Sequence, residues 1–297
     1  MTFPAPIFKT SRAARDTGET DVTDTNDSAL ARGYAALPLV GEELDVGILR
    51  LTLLNPPANA LSVALMTSLK EALERAGANP EVRVVILQHE GKVFSAGHDL
   101  KELQARRGDP DGGKAFFTET MRLCADLMQT IVQLPKPVIA AIDGVATAAG
   151  CQLVASCDLA VATAQARFAT PGVNIGLFCS TPMVALSRNV SRKHAMEMLL
   201  TGEMIDAEQA LTFGLVNRVV TREMLDDAVM HYAGLIKAKS PLTLKIGKEA
   251  FYNQAEMNLG DAYDYTVQVM VENMMVRDAE EGIGAFIEKR HPTWKGS

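Results

Sequence analysis

Four short aliphatic runs constrain this chain more than any other feature. They are VGILRLTLLN (46–55), VRVVILQ (82–88), KPVIAAIDG (136–144) and DLAVAT (158–163). Runs of this length, rich in β-branched residues and bounded by Pro, Gly or charged residues, read as strands, and the wholly apolar ones as strands buried in a core. The first stops at Pro56-Pro57. Amphipathic helices separate the runs. SVALMTSLKEALERAG (62–77) repeats Leu65, Leu69, Ala72, Leu73 and Ala76 at helical spacing and ends on Gly77. DAEQALTFGLV (206–216) opens on an Asp cap, carries Gln three residues later and breaks at Gly214. From about Met224 the pattern is almost wholly helical. Strands alternating with helices, then helices alone, give an α/β fold with a helical C-terminal part. The boundaries drawn are a lead-in over 1–40, disordered or extended, a core over 41–222 and a helical region over 223–297.

Composition narrows the function classes. With 297 residues, 47% of them hydrophobic, the chain can bury a substantial core. No apolar stretch reaches the roughly 18 residues of a membrane span. A net charge of -7 argues against general nucleic-acid binding, which needs basic surface. Cys124, Cys151, Cys157 and Cys179 have no Cys-x-x-Cys pairing and sit in apolar contexts, as structural thiols in a reducing compartment do. A cytoplasmic protein is expected. The alternative is the mitochondrial matrix, because Lys9, Arg12 and Arg15 precede the first acid, Asp16, although the segment then turns acidic. No His/Cys/Asp/Glu cluster has metal spacing, and no Rossmann or Walker glycine loop follows a strand.

Three stretches carry chemistry. In VFSAGHDLKEL (93–103) a strand end meets small residues and then a helix start, with Asp99 and Glu102 spaced as a capping box. This leaves free backbone N–H groups beside Gly97 and His98. In VATAAGCQL (145–153), Ala148, Ala149 and Gly150 again remove bulk before a helix. Two such loops facing each other could hold a carbonyl oxygen between two N–H groups as negative charge develops on it. One such donor is worth roughly 2.7–4 kcal/mol of barrier. The third stretch, RFATPGVNIGLFCSTPMVALSR (167–188), could wall a pocket; Cys179 lies on it, and Asn174 fits a turn or a ligand contact equally. Asp158, between helix and strand, reads as a structural hydrogen-bond acceptor.

FSAGHDLKEL, KPVIAAIDGVATAAGCQLVASCDLAVA, FATPGVNIGLF, MEMLLTGEMIDAEQALTFGLVNRVV and EGIGAFIEKRHPTW occur in this order. With them the chain resembles the enoyl-CoA hydratase/isomerase (crotonase) family from roughly Gly47 onward. AAGCQLVASCD and FATPGVNIGLFCSTP look most like one subgroup of it. The resemblance implies a crotonase-like spiral of ββα units with a C-terminal helical trimerisation region, assembled as a homotrimer or dimer of trimers. It implies an acyl-CoA ligand, with coenzyme A entering as part of the substrate and no tightly bound cofactor. By position, the thioester oxygen would meet the N–H groups of His98 and Ala149. Ligand contacts would fall near Ala58, Ala60, Leu61, Ala96, Gly97, Leu100, Gly150 and Cys179, with Phe286 and Lys289 supplied by a neighbouring subunit.

The departures matter as much. Family hydratases use two glutamates to activate water and deliver a proton; their positions align here with Gln152 and Gly172. An amide exchanges no proton near neutral pH, and general acid/base catalysis contributes on the order of 10²–10⁴-fold. Standard hydration is therefore not expected. His98, on the loop that would meet the thioester, is the candidate replacement, as an acid or as a group that orients water. Methylmalonyl-CoA decarboxylases also resemble FSAGHD and VNIG and have a histidine at the His98 position, though their pocket tyrosine aligns with Cys179. A non-catalytic acyl-CoA binder or regulator is the third reading.

Overall fold

The computed structural model describes residues 38–297; the expected lead-in lies outside them except for its last three residues, and Val40 already belongs to a strand. The chain opens as a hairpin, β1 (Val40–Asp45) and β2 (Ile48–Leu53), followed by α1 (Val63–Ala78). Then come β3 (Val84–His89), β4 (Val93–Ser95), α2 (Leu100–Ala105) and α3 (Lys114–Gln133). The next unit is β5 (Val138–Ile142), β6 (Val145–Thr147) and α4 (Ala149–Ser156). After it come β7 (Leu159–Thr163), β8 (Arg167–Ala169), a 3-10 turn over Pro171–Ile175, α5 (Pro182–Asn189) and α6 (Arg192–Thr201). The core closes with β9 (Ile205–Asp206), α7 (Ala207–Phe213) and β10 (Arg218–Val220). Four helices follow: α8 (Leu225–Lys237), α9 (Pro241–Gln254), α10 (Leu259–Met274) and α11 (Arg277–Glu288).

After the opening hairpin, the strand pairs β3/β4, β5/β6 and β7/β8 are each split between two sheets. The six-stranded sheet runs β1-β2-β3-β5-β7-β10 and the four-stranded one β4-β6-β8-β9. Thus β3, β5 and β7 lie side by side in the first sheet, while their successors β4, β6 and β8 lie side by side in the second. All these neighbours are parallel; only β1 against β2 and β8 against β9 are antiparallel. One unit repeated with one strand's displacement is the spiral implied by the resemblance. It also places the residues following β4 beside those following β6, because Ser95 pairs with Ala146.

The two faces of the large sheet explain the apolar runs. Leu49, Leu51, Leu53, Val85, Leu87, Val138, Ala140 and Ile142 face the main core with α1, α3 and α4. Ile48, Val84, Ile86, Ile139, Ala141 and Val161 face Val229 and Ala233 of α8. Covered on both faces, the parallel strands need no polar alternation. The predicted stripe of α1 is buried throughout and gains Met66.

Several expected boundaries move. Val46 and Gly47 are not strand but a two-residue hairpin turn, both at positive φ (41° and 84°), as a type I′ turn requires. Gly77 does not end α1, which runs one residue further to an Asn79 cap before Pro80. The capping box and Gly214 stop of α7 are observed.

Candidate functional site

The loops after β4 and β6 meet at Gly97. Its backbone is left-handed, φ +86°, and a Cβ placed on it would lie 2.8 Å from Ala148 Cβ, 3.1 Å from Thr147 O and 3.1 Å from Ala149 N. Only a residue without a side chain can occupy that position. Gly150 makes the same contact from the other side, since a Cβ there would fall 2.2 Å from Ser95 O. Its role in the structure is packing. Ala148 takes φ +50° and ψ −119°, a costly conformation for a residue with a Cβ, and so turns the chain into α4.

This packing leaves two donors unspent. Ala148 N–H donates to Ala169 O at 2.9 Å and Gln152 N–H to Ala148 O at 3.0 Å. The N–H groups of His98 and Ala149 donate to no acceptor among the described residues. Ala149 is the first residue of α4, where the helix dipole adds partial positive charge.

A third loop, 55–61, clamps the first. Ala96 N–H donates to Ala58 O at 3.0 Å, and Leu61 N–H to Gly97 O at 2.8 Å. His98 Nδ1 lies 3.4 Å from Leu61 O, so the Nδ1–H form is the one that bonds. Burial holds the imidazole below its ordinary pKa, against the opposing pull of that carbonyl. His98 is therefore neutral at pH 7, with Nε2 buried and unpartnered. Ala58, Ala60, Ala96, Gly97 and Leu100 thus gather around one locus, Ala96 and Leu100 exposed; Leu61 is fully buried, so only its backbone faces the loop.

The expected capping box is half formed. Asp99 accepts from Lys101 N–H and Glu102 N–H, but Glu102 does not reach back to Asp99. Its Oε2 instead accepts from Val63 N–H at 3.1 Å, capping α1 and tying the two helix starts together.

The two positions that the resemblance pairs with the family's glutamates are both interior. Gln152, one turn into α4 and 4% exposed, has Oε1 3.9 Å from Cys124 Sγ on α3. Gly172 is buried in the 3-10 turn; a Cβ there would lie 2.7 Å from Leu177 O and 2.9 Å from Cys179 Sγ. Burial pushes the thiols of Cys124 and Cys151 up to about 12 and raises that of Cys179, so none is a thiolate at neutral pH. The loop beyond exposes Ile175, Leu177 and Phe178, and Asn174 is exposed on the turn. Phe286 and Lys289 are exposed on α11 and its cap, and α11 packs on α9 and α10.

Two groups of residues escaped the sequence reading. Asn59 is buried in the clamp loop, which only its spacing from Asn55 around Pro56-Pro57 hinted at. Asp158 is the structural acceptor expected, but its partners, Lys248 Nζ at 2.6 Å and Tyr252 OH at 2.9 Å, come from α9, 90 or more residues away. A cavity of about 280 Å³ between the large sheet and α8 contains none of the candidate residues. Its charges pair with one another, Arg50 with Asp226 and Arg222 with Asp143. Among the described residues no group of three His, Cys, Asp or Glu could hold a metal ion, and no helix is long and apolar enough to cross a membrane.

Comparison with known proteins agrees with this geometry. The family model for enoyl-CoA hydratase/isomerase matches residues 43–297. The mitochondrial enoyl-CoA hydratase domain-containing protein 3 of Xenopus laevis is 49% identical over 261 residues, 88% of this chain and 87% of that protein. A crystal structure of the human enoyl-CoA hydratase domain-containing protein 3 superposes with TM-score 0.82 at 46% identity, covering 86% of this chain and all of that one. A crystal structure of an enoyl-CoA hydratase from Mycobacterium smegmatis gives TM-score 0.82 at 49% identity, covering 86% and 99%. The mitochondrial relatives lend no support to the cytoplasmic location expected above. With its split ββα units, its helical end and these matches, the chain belongs to the enoyl-CoA hydratase/isomerase family.

Proposed function

We propose that this protein binds an acyl-CoA thioester with the carbonyl oxygen between the N–H groups of His98 and Ala149, and that it hydrates crotonyl-CoA far more slowly than relatives carrying two catalytic glutamates. The contact of Gly97 with Ala148 and Ala149 carries the reading, because it brings together two backbone donors that have no acceptor among the described residues. What is missing is the acid and base. Gln152 cannot shuttle protons and Gly172 has no side chain; burial keeps His98 neutral, which rules it out as the acid and leaves its buried Nε2 only weakly basic. Ala149→Pro tests the placement, since it deletes one donor at the first position of a helix, where the N–H has no intrahelical partner. A folded Ala149→Pro protein is expected to lose affinity for acetoacetyl-CoA, whose bound enolate presses charge onto the thioester oxygen. Unchanged affinity contradicts the placement.

The unpartnered Nε2 of His98 favours one second reading, decarboxylation of a malonyl-type thioester. The bond to the carboxylate breaks, its electron pair enters the enolate held by the two N–H groups, CO2 leaves and the α-carbon takes a proton. This needs an oxyanion hole but no strong base. As a neutral imidazole, His98 would orient the carboxylate or a water rather than act as the acid. Turnover of a methylmalonyl-CoA panel that falls in His98→Ala while thioester binding persists supports it. Binding without turnover of any thioester leaves the non-catalytic binder.

Assembly completes the proposal. No residue of α10 is buried, and Leu259, Tyr263, Val267, Met270, Val271 and Met274 form an exposed apolar stripe along it. Stripes of this size mark interfaces. A homotrimer or dimer of trimers would cover it and bring Phe286 and Lys289 to a neighbour's ligand. Light scattering at micromolar concentration tests this, and a persistent 32.0 kDa monomer contradicts it. The vertebrate relatives are named as mitochondrial, which favours the mitochondrion over the cytoplasm; a fluorescent fusion expressed in a eukaryotic cell distinguishes them.

A further inference from the structure

Asn59 spends its whole side chain on backbone groups. It is 1% exposed with φ +44°, a left-handed conformation that asparagine tolerates better than most residues. Its Oδ1 accepts from Asn55 N–H at 2.9 Å. Its Nδ2 donates to Glu90 O at 3.0 Å and Val93 O at 2.8 Å, the latter on β4. Asn55 in turn donates to Ala60 O at 2.8 Å. The 55–61 loop is thereby bolted to the strand that leads into Gly97 and His98.

The consequence lies in one peptide plane. The carbonyl of Gly97 and the N–H of His98 belong to the same trans peptide and point in opposite directions. Leu61 N–H holds the Gly97 carbonyl at 2.8 Å, and the Leu61–His98 bridge continues the pairing. Fixing the carbonyl toward Leu61 aims the His98 N–H away from the clamp. We infer that Asn59 is a positioning residue that, by anchoring the loop carrying Leu61, aims the His98 N–H at the thioester oxygen. This rests on the acyl-CoA reading above.

The test titrates wild type, Asn59→Ala and Asn59→Asp with acetoacetyl-CoA and with free CoA, and follows the ultraviolet enolate band of the bound thioester. Free CoA lacks the acetoacetyl group, so the ratio of the two affinities separates the acyl contacts from general loosening of the CoA site, and the enolate band singles out the oxyanion contact among them. The expected result is a fall of about tenfold or more in that ratio, as for loss of one hydrogen bond to a charged oxygen, together with loss of the band. Asn59→Asp keeps the Asn55 bond and the tolerated backbone while removing both donors, so it gives the same readout where Asn59→Ala does not fold. Folded variants that keep the wild-type ratio and band overturn the inference and make Asn59 a purely structural residue. A wild type that does not distinguish acetoacetyl-CoA from free CoA overturns the thioester reading itself.

Discussion

The carbonyl oxygen of Leu177 stands 2.7 Å from the point where Gly172 would carry a Cβ, and Leu177 N–H donates back to Gly172 O at 2.9 Å. The turn is closed over the position that the resemblance pairs with the second acid of family hydratases. Putting glutamate back at 172 must therefore displace backbone, not merely fill space. Gly172→Glu is expected to destabilise the fold by about 1–3 kcal/mol, the range for overpacking, and to restore no hydration even with Gln152→Glu. Thermal denaturation and crotonyl-CoA turnover of the double variant check this. A stable double variant with brisk turnover would show that the loop opens easily.

Gly172 also marks where sequence reading runs out. The resemblance pairs Gly172 with a family glutamate, but nothing in the sequence tells that Leu177 and Cys179 crowd that position. That needed a turn conformation set by tertiary packing. By contrast, the facing of the two small-residue loops is legible, because Gly97 and Ala149 carry too little bulk to keep the two backbones apart. Helices with caps and one-sided stripes, α1 and α7, were legible to within a residue. Three-residue strands such as β6, β8 and β10 were not, since their identity comes from neighbours in the sheets rather than from their own composition. Glu102 illustrates the same limit: its spacing from Asp99 fits a capping box, yet the nearer partner in space is Val63.

The Lys248–Asp158 pair holds α9 to the base of the large sheet. Lys248 Nζ reaches Asp158 Oδ2 at 2.6 Å, Ile131 O at 2.9 Å and Lys136 O at 3.1 Å, and its side chain is only 8% exposed. Lys248→Met leaves the Asp158 charge uncompensated and is expected to cost about 3–5 kcal/mol in denaturant unfolding. Adding Asp158→Asn should recover part of that loss. A cost below about 1 kcal/mol for the single variant would mean that the Tyr252 hydroxyl and the Val138 N–H, which donates to Asp158 Oδ2 at 2.7 Å, suffice.

The segment after α11 is acid-sensitive by the sign of its carboxylates. Arg290 and the Thr293 N–H hold Glu281 at about 2, below its ordinary value of 4.5. Burial works against ionised Asp278, yet the Ser240 hydroxyl and the N–H groups of Lys295 and Gly296 keep it below its usual range. Depressed folded-state values stabilise above the unfolded pKa and lose that contribution as pH falls toward the folded one. Between about pH 4.5 and 2 the segment should therefore release. Trp294, the only tryptophan, donates to Ala238 O at 2.8 Å and reports on it. Its fluorescence should shift to the red across that window and stay constant from pH 6 to 8. A transition above pH 6 would assign the docking to other groups.

The most direct test of the central claim is a crystal structure of the protein soaked with acetoacetyl-CoA. The thioester oxygen is expected within roughly 2.7–3.1 Å of both His98 N and Ala149 N, the range for an oxyanion held by two donors. A bound thioester whose oxygen meets neither nitrogen, or crystals that take up no thioester at millimolar concentration, would contradict it.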